Sequence, residues 1–83
     1  MKIYAVWTNL GSFDPIKIFT GSKDNALEHC MDICYRADIE GILSGPIPPK
    51  SVLGQCLDAC VDFSGYDCHG RKYLELVTKD VEI

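Results

Sequence analysis

Residues 2–8 read KIYAVWT, a run of β-branched and aromatic residues that predicts a β-strand. Its apolar residues fall on both sides of the strand: Ile3, Ala5 and Trp7 on one, Tyr4 and Val6 on the other. A strand that is apolar on both sides is typical of the centre of a sheet, because both of its faces are buried. We therefore expect this segment to be central, with another strand on each side of it.

The residues that follow predict a hairpin and then a helix. The turn residues of NLGSFDP (9–15) lead into the alternating IKIFT (16–20), which indicates an antiparallel partner for the first strand. Ser22 is a suitable helix N-cap, and Gly41 is a suitable helix stop. Apolar residues recur between them at helical spacing, so we expect one helix there.

The second half predicts one more helix and one more strand. PPKS (48–51) opens a helix that we expect to run to a stop at Gly65, and KYLELVTKDVEI (72–83) reads as the closing strand beside the first. The predicted order is β-β-α-α-β. The fold class is α+β, with two helices packed on one face of a small antiparallel three-stranded sheet. We expect a single domain over residues 1–83.

Composition and charge argue against several classes of function. Twelve acidic and eight basic residues give a net charge of −4, without the basic stripe that nucleic-acid binding needs. The N-terminus lacks the pattern of a cleavable signal, and no apolar run approaches the length of a membrane span. We therefore expect a cytoplasmic protein with a protein partner, which its acidity suits to a basic surface.

Two segments that read as helices each carry a Cys-x-x-x-Cys pair: Cys30 with Cys34, and Cys56 with Cys60. Residues four apart on a helix have Cβ atoms about 5–6 Å apart, whereas a disulfide needs about 3.5–4.5 Å. Any disulfide must therefore cross between the helices, as Cys30–Cys60 and Cys34–Cys56 in an antiparallel hairpin. Four thiolates from two helices would also suit Zn, in a metal- or redox-responsive protein.

The twin motif, and QCLDACVDF in particular, resembles the small translocase chaperones of the mitochondrial intermembrane space, whose helices are joined by such cross-helix disulfides. Those proteins lack strands and have a shorter linker, so we interpret the similarity as convergent. All four cysteines fall on the apolar stripes of their helices, and free cysteine is often buried. We therefore favour a core-packing role over metal binding or disulfides.

Two sets of residues are candidates for partner binding. Asp24, Glu28 and Asp32 stand four apart and form an acidic row on the first helix, with Arg36 next to pair with Asp32. Phe13 lies in the hairpin turn, and Phe19 has the opposite parity to Ile16 and Ile18 in its strand, so we expect both phenylalanines to be exposed contact residues.

The sheet itself should leave one face uncovered. We expect an apolar patch on that face, suited to a homodimer or a partner. We assign to this patch Tyr4, Val6, Phe19, and either Leu74 with Leu76 or Tyr73 with Val77. The turn residues Cys68 and His69 are too weak a signal for a nucleophile and its base, and no catalytic constellation appears.

The opening MKIYAVWTN, followed by IKIFTGSKDNALEHC, is similar to many small bacteriophage accessory proteins over about the first 35 residues. That resemblance implies a compact viral protein that binds a host component in the host cytoplasm. The function we predict is accordingly a small non-enzymatic binding protein, a phage-encoded inhibitor of a host or anti-phage defence complex.

Overall fold

The computed structural model describes residues 1–82. The elements in chain order are β1 (Lys2–Thr8), β2 (Ile16–Thr20), α1 (Lys23–Ile39), α2 (Lys50–Ala59), β3 (Phe63–Tyr66) and β4 (Lys72–Asp80). The strands form one antiparallel sheet in the order β2-β1-β4-β3. The predicted α+β class is confirmed, and β1 is central with the closing strand beside it. Ile83, the end of the predicted closing strand, lies outside the described residues.

The predicted count of three strands is wrong, because the second helix ends earlier than expected. Helix α2 stops at Ala59, where Cys60 adopts a left-handed conformation with φ 55° and ψ 37°. The Val61 N–H then donates to the carbonyl of Cys56 at 3.0 Å and closes the helix end. No glycine marks this stop, so the sequence pattern concealed it. The released residues form β3 at the edge of the sheet.

Strand β3 packs closely on β4 because it carries Gly65. A Cβ atom at this position would lie 3.0 Å from Cε1 of Tyr73, so a larger residue would displace the ring. The strand register shifts between Gly65 and Tyr66, and Tyr73 and Leu74 are both buried although they are adjacent. The predicted placement of Tyr73 on the opposite side from Leu74 is therefore wrong.

The core lies between the helices and one face of the sheet, which we call the covered face. This face carries the buried residues Tyr4, Val6 and Thr8 of β1 and Leu74, Leu76 and Thr78 of β4. The Thr8 hydroxyl donates to the carbonyl of Tyr73 at 2.6 Å and accepts from the N–H of Leu10 at 3.1 Å. The buried hydroxyl of Thr8 thus has both a hydrogen-bond acceptor and a donor.

The two helices run antiparallel. Lys23, in the first turn of α1, forms an ion pair with Asp58, near the end of α2, with Nζ–Oδ1 2.8 Å. The Leu27 side chain lies against Gly54, in the middle of α2. In both contacts the two residue numbers add up to 81. This sum defines the register of the helix pair, that is, which residues of α1 and α2 lie side by side. Within residues 1–82, no helix has the length and apolar character needed to cross a membrane.

Candidate binding surfaces

The acidic row of α1 is exposed as predicted. Asp24, Glu28 and Asp32 all project from the helix into solvent. The expected pairing of Arg36 with Asp32 is not formed, because the Arg36 guanidinium lies 3.6 Å from the carboxylate of Glu40 one turn further on. The three carboxylates of the row therefore form no ion pair with any residue that the structure describes. They remain available for an external cation.

A shallow pocket of about 370 Å³ opens between the acidic row and the start of α2. It is lined by Glu28, Met31, Asp32, Tyr35 and Lys50. Two carboxylates, an exposed phenol ring and a thioether form most of this wall. Such a combination suits a cationic side chain with an apolar stem, which can pair with a carboxylate and contact an aromatic ring. The Lys50 ammonium at the rim opposes a second cation.

Phe13 and Phe19 are not the exposed contact residues that the sequence predicted. Both are partly buried and pack against the core, where they flank His29 of α1. The ring centroids of Phe13 and His29 are 5.6 Å apart at an interplanar angle of 85°, and those of Phe19 and His29 are 5.5 Å apart. Phe19 lies opposite Tyr4 in the β1–β2 register, so its parity places it under α1. Whether either ring contacts a partner stays a prediction.

His29 lies in an environment that disfavours its charged form. Its Nε2 atom is buried and has no hydrogen-bond partner among the described residues. Desolvation lowers the pKa of His29, and the Lys17 ammonium adds to that effect, while Asp32 and Asp14 oppose it. Lys17 itself lies over the Phe19 ring, with Nζ 5.5 Å from the ring centroid. No local sequence pattern indicates this cluster, because its members come from three separate segments.

The cysteines of one helix do not meet the cysteines of the other. In the register defined above, Cys30 lies level with Ser51, and Cys60 is nine residues further along the chain, or about 13 Å at 1.5 Å per residue. All the cysteines are free thiols, so the cross-helix disulfides are absent. Within residues 1–82, no group of three or more histidine, cysteine or carboxylate side chains is placed to hold a metal ion.

The cysteines instead divide into two environments. Cys30 and Cys34 are fully buried in the core, as the packing interpretation predicts. Burial raises the pKa of Cys30 to about 12 and also raises the pKa of Cys34. Cys56 is half-buried, and Cys60 is exposed at the left-handed end of α2. The expectation that all four occupy the apolar stripes is therefore wrong for Cys60, because the helix ends before it.

The sheet has a second large apolar surface, which we call the open face. Its side chains form three rows across β2, β1 and β4: Ile16, Trp7 and Glu75; Ile18, Ala5 and Val77; Thr20, Ile3 and Lys79. Of the residues predicted for an exposed patch, only Val77 is on this face. Tyr4, Val6, Leu74 and Leu76 lie on the covered face, with Phe19 and Tyr73 also packed in the core. The predicted parity was inverted.

The turn that contains Cys68 and His69 is organised by Asp67. One carboxylate oxygen of Asp67 accepts from the N–H groups of His69 and Arg71, each at 2.9 Å. These bonds lower the pKa of Asp67, with the Arg71 N–H as the largest cause. Both Cys68 and His69 are exposed at the tip, so their arrangement is accounted for by turn formation.

Comparison of the chain with protein-family models, with curated proteins and with solved structures gives no match.

Proposed function

We propose that this chain is a small non-enzymatic binding protein that holds a basic segment of a partner protein on the acidic row of α1. The observation that supports this proposal is the pocket beside the row, where Glu28 and Asp32 stand next to the exposed Tyr35 ring. An arginine or lysine side chain placed there would pair with a carboxylate and lie against the ring. The net charge of −4 would favour the approach of such a segment.

The partner we propose is a component of a host or anti-phage defence complex, which binding would inhibit. This role is the one implied by the resemblance of the first 35 or so residues to bacteriophage accessory proteins. The acidic row lies on the helical side of the molecule, so it would remain accessible whatever covers the open face of the sheet.

The test compares two triple charge reversals with equal net charge. The first replaces the acidic row, as Asp24→Lys, Glu28→Lys and Asp32→Lys. The matched control changes three exposed carboxylates elsewhere, as Asp38→Lys, Asp62→Lys and Glu82→Lys. Each reversal adds two positive charges, so both variants change from −4 to +2. The probe is a fluorescently labelled arginine-rich peptide, and binding is followed by fluorescence anisotropy at low salt.

We expect the row variant to bind the peptide at least about tenfold more weakly than the control, since it loses short-range pairs as well as net charge. Lys50→Ala should tighten binding, because it removes a like charge from the pocket rim. Equal losses in the two triple variants would show that only net charge matters and would overturn the proposal. So would an arginine-rich peptide that does not bind the wild-type protein at all.

A further inference from the structure

The open face exposes large apolar side chains next to one another. Ile16 and Ile18 are 62% and 56% exposed, and they adjoin the half-buried Trp7, Ala5 and Val77 in the same rows. Helices α1 and α2 both pack on the other side of the sheet, so neither covers this face. Contiguous exposed apolar patches of this kind mark interaction sites.

We propose that the open face is the interface between two copies of this chain. The central row holds Ile18, Ala5 and Val77, and the outer rows carry the larger and charged residues. We place a two-fold axis in the interface, parallel to the central row. The row that contains Trp7 then faces the row that contains Ile3 in the second copy. Trp7 then packs on Ile3 of the second copy, and Glu75 faces Lys79 of the second copy. The three central residues meet their own equivalents.

The charges at the rim favour a second copy over an unrelated partner. Glu75 and Lys79 have opposite signs and flank Val77 on β4. A uniformly basic or acidic partner would meet one of them with a like charge, whereas the two-fold arrangement pairs both. Glu75 already accepts from Lys72 at 2.7 Å, and a carboxylate can accept from a second ammonium as well.

The dimensions of the face suit a modest dimer. The three strands that carry the rows, about 4.8 Å apart, and the seven residues of β1 at about 3.3 Å each give a footprint of about 14 by 23 Å. Side chains that stand on this footprint increase the accessible area above its flat value of roughly 330 Å². A standard interface takes about 800 Å² from each partner, so this face is at the small end, where weak and concentration-dependent association is expected. Two sheets packed in this way form the core of a sandwich about 10 Å thick.

The assembly would have four layers, with helices outside and sheets inside. The acidic rows would then point outward on both sides, and a dimer could present two of them to a basic partner. This inference does not depend on the proposed function, because the sheet separates the two surfaces. Peptide binding to the acidic row and self-association can therefore fail independently.

Sedimentation velocity over about 5 to 500 µM tests the dimer in the range where a modest interface dissociates. We expect a concentration-dependent shift from monomer to dimer in the wild-type protein. Ile18→Glu should weaken the dimer more than about tenfold, because it opposes two like charges at the axis. The matched control is Ile39→Glu on the helical side, where Ile39 is 75% exposed, and it should leave dimerisation unchanged. Circular dichroism verifies that both variants fold.

A charge swap on β4 separates this arrangement from edge-to-edge pairing through β2. Glu75→Lys alone and Lys79→Glu alone should each weaken the dimer several-fold, and the double swap should restore it. Pairing along the β2 edge keeps these charges apart, so a dimer indifferent to both single reversals would overturn the face-to-face arrangement. A wild-type protein that remains monomeric over the whole range would overturn it too.

Discussion

On β1 the two faces of the sheet carry similar apolar residues but meet different environments. The covered face presents Tyr4 and Val6 on β1, and the open face presents Ile3, Ala5 and Trp7 on the same strand. Val6 is fully buried, whereas Ile16 and Ile18, the open-face neighbours of β1 on β2, are more than half exposed. The apolar residues of β1 therefore do not by themselves select the face that receives the helices. The residues of β4 do distinguish the faces, because Glu75 and Lys79 lie on the open side. The chain passes from β2 into α1 over the Phe19 side of the hairpin.

Adjacent residues on β4 measure the difference between the faces most directly. Leu76→Ala removes a side chain that is 1% exposed and leaves a cavity in the core, so we expect it to lower the free energy of unfolding by about 2–5 kcal/mol. Val77→Ala acts on the open face and should cost at most about 1 kcal/mol, measured by urea denaturation of the dilute protein. Similar losses at the two positions would contradict the assignment of the faces.

The cysteines extend the same comparison to the helical layer. Cys30→Ser places a hydroxyl in the core without a hydrogen-bond partner and should lower the free energy of unfolding by about 1–3 kcal/mol. Cys60→Ser, at an exposed position, should change stability by less than about 0.5 kcal/mol. In the native protein, a thiol reagent such as Ellman's reagent should modify Cys60 and Cys68 rapidly and Cys30 and Cys34 only on unfolding. Rapid labelling of Cys30 in the folded state would show that this side of α1 is not packed in the core.

A smaller effect is expected from His29, which packs over the covered face. Because the pKa of His29 is lowered on folding, the unfolded chain binds a proton at a higher pH than the folded chain. The stability contributed by the neutral ring is therefore complete above its ordinary pKa and declines as the pH falls through the lowered pKa. The melting temperature should drop between about pH 7 and pH 5.

His29→Leu should remove this part of the pH dependence, and His69→Gln, in the exposed turn, should retain it. The lowered pKa values of Asp58 and Asp67 influence stability only at more acidic pH, because their ordinary values are lower. A His29→Leu variant that loses stability as steeply as the wild type between pH 7 and pH 5 would show that another group is responsible.

Local patterns predicted most of the elements, and tertiary contacts explain the errors. The start of α1 after Ser22 and the start of α2 at Lys50 agree with the capping and proline signals. Strand β3 was missed because Cys60 ends α2 in a left-handed conformation, which glycine usually adopts. Gly65, the predicted helix stop, instead lies within β3 and packs against the Tyr73 ring. The exposure of the acidic row was predictable from its spacing, whereas the pocket beside it needs Lys50 from α2.

The sequence by itself determined the α+β class, the central position of β1, the two helices and the exposure of the acidic row. These follow from periodicity and turn chemistry, which act over a few residues and are written into neighbouring positions. Only the tertiary structure decided which face of the sheet is covered, how the helices are staggered, and that the twin cysteine pairs lie apart. Those outcomes depend on the path of the connections and on the packing of side chains that are distant in the sequence. A strand that is apolar on both sides, such as β1, could have either face covered by the helices.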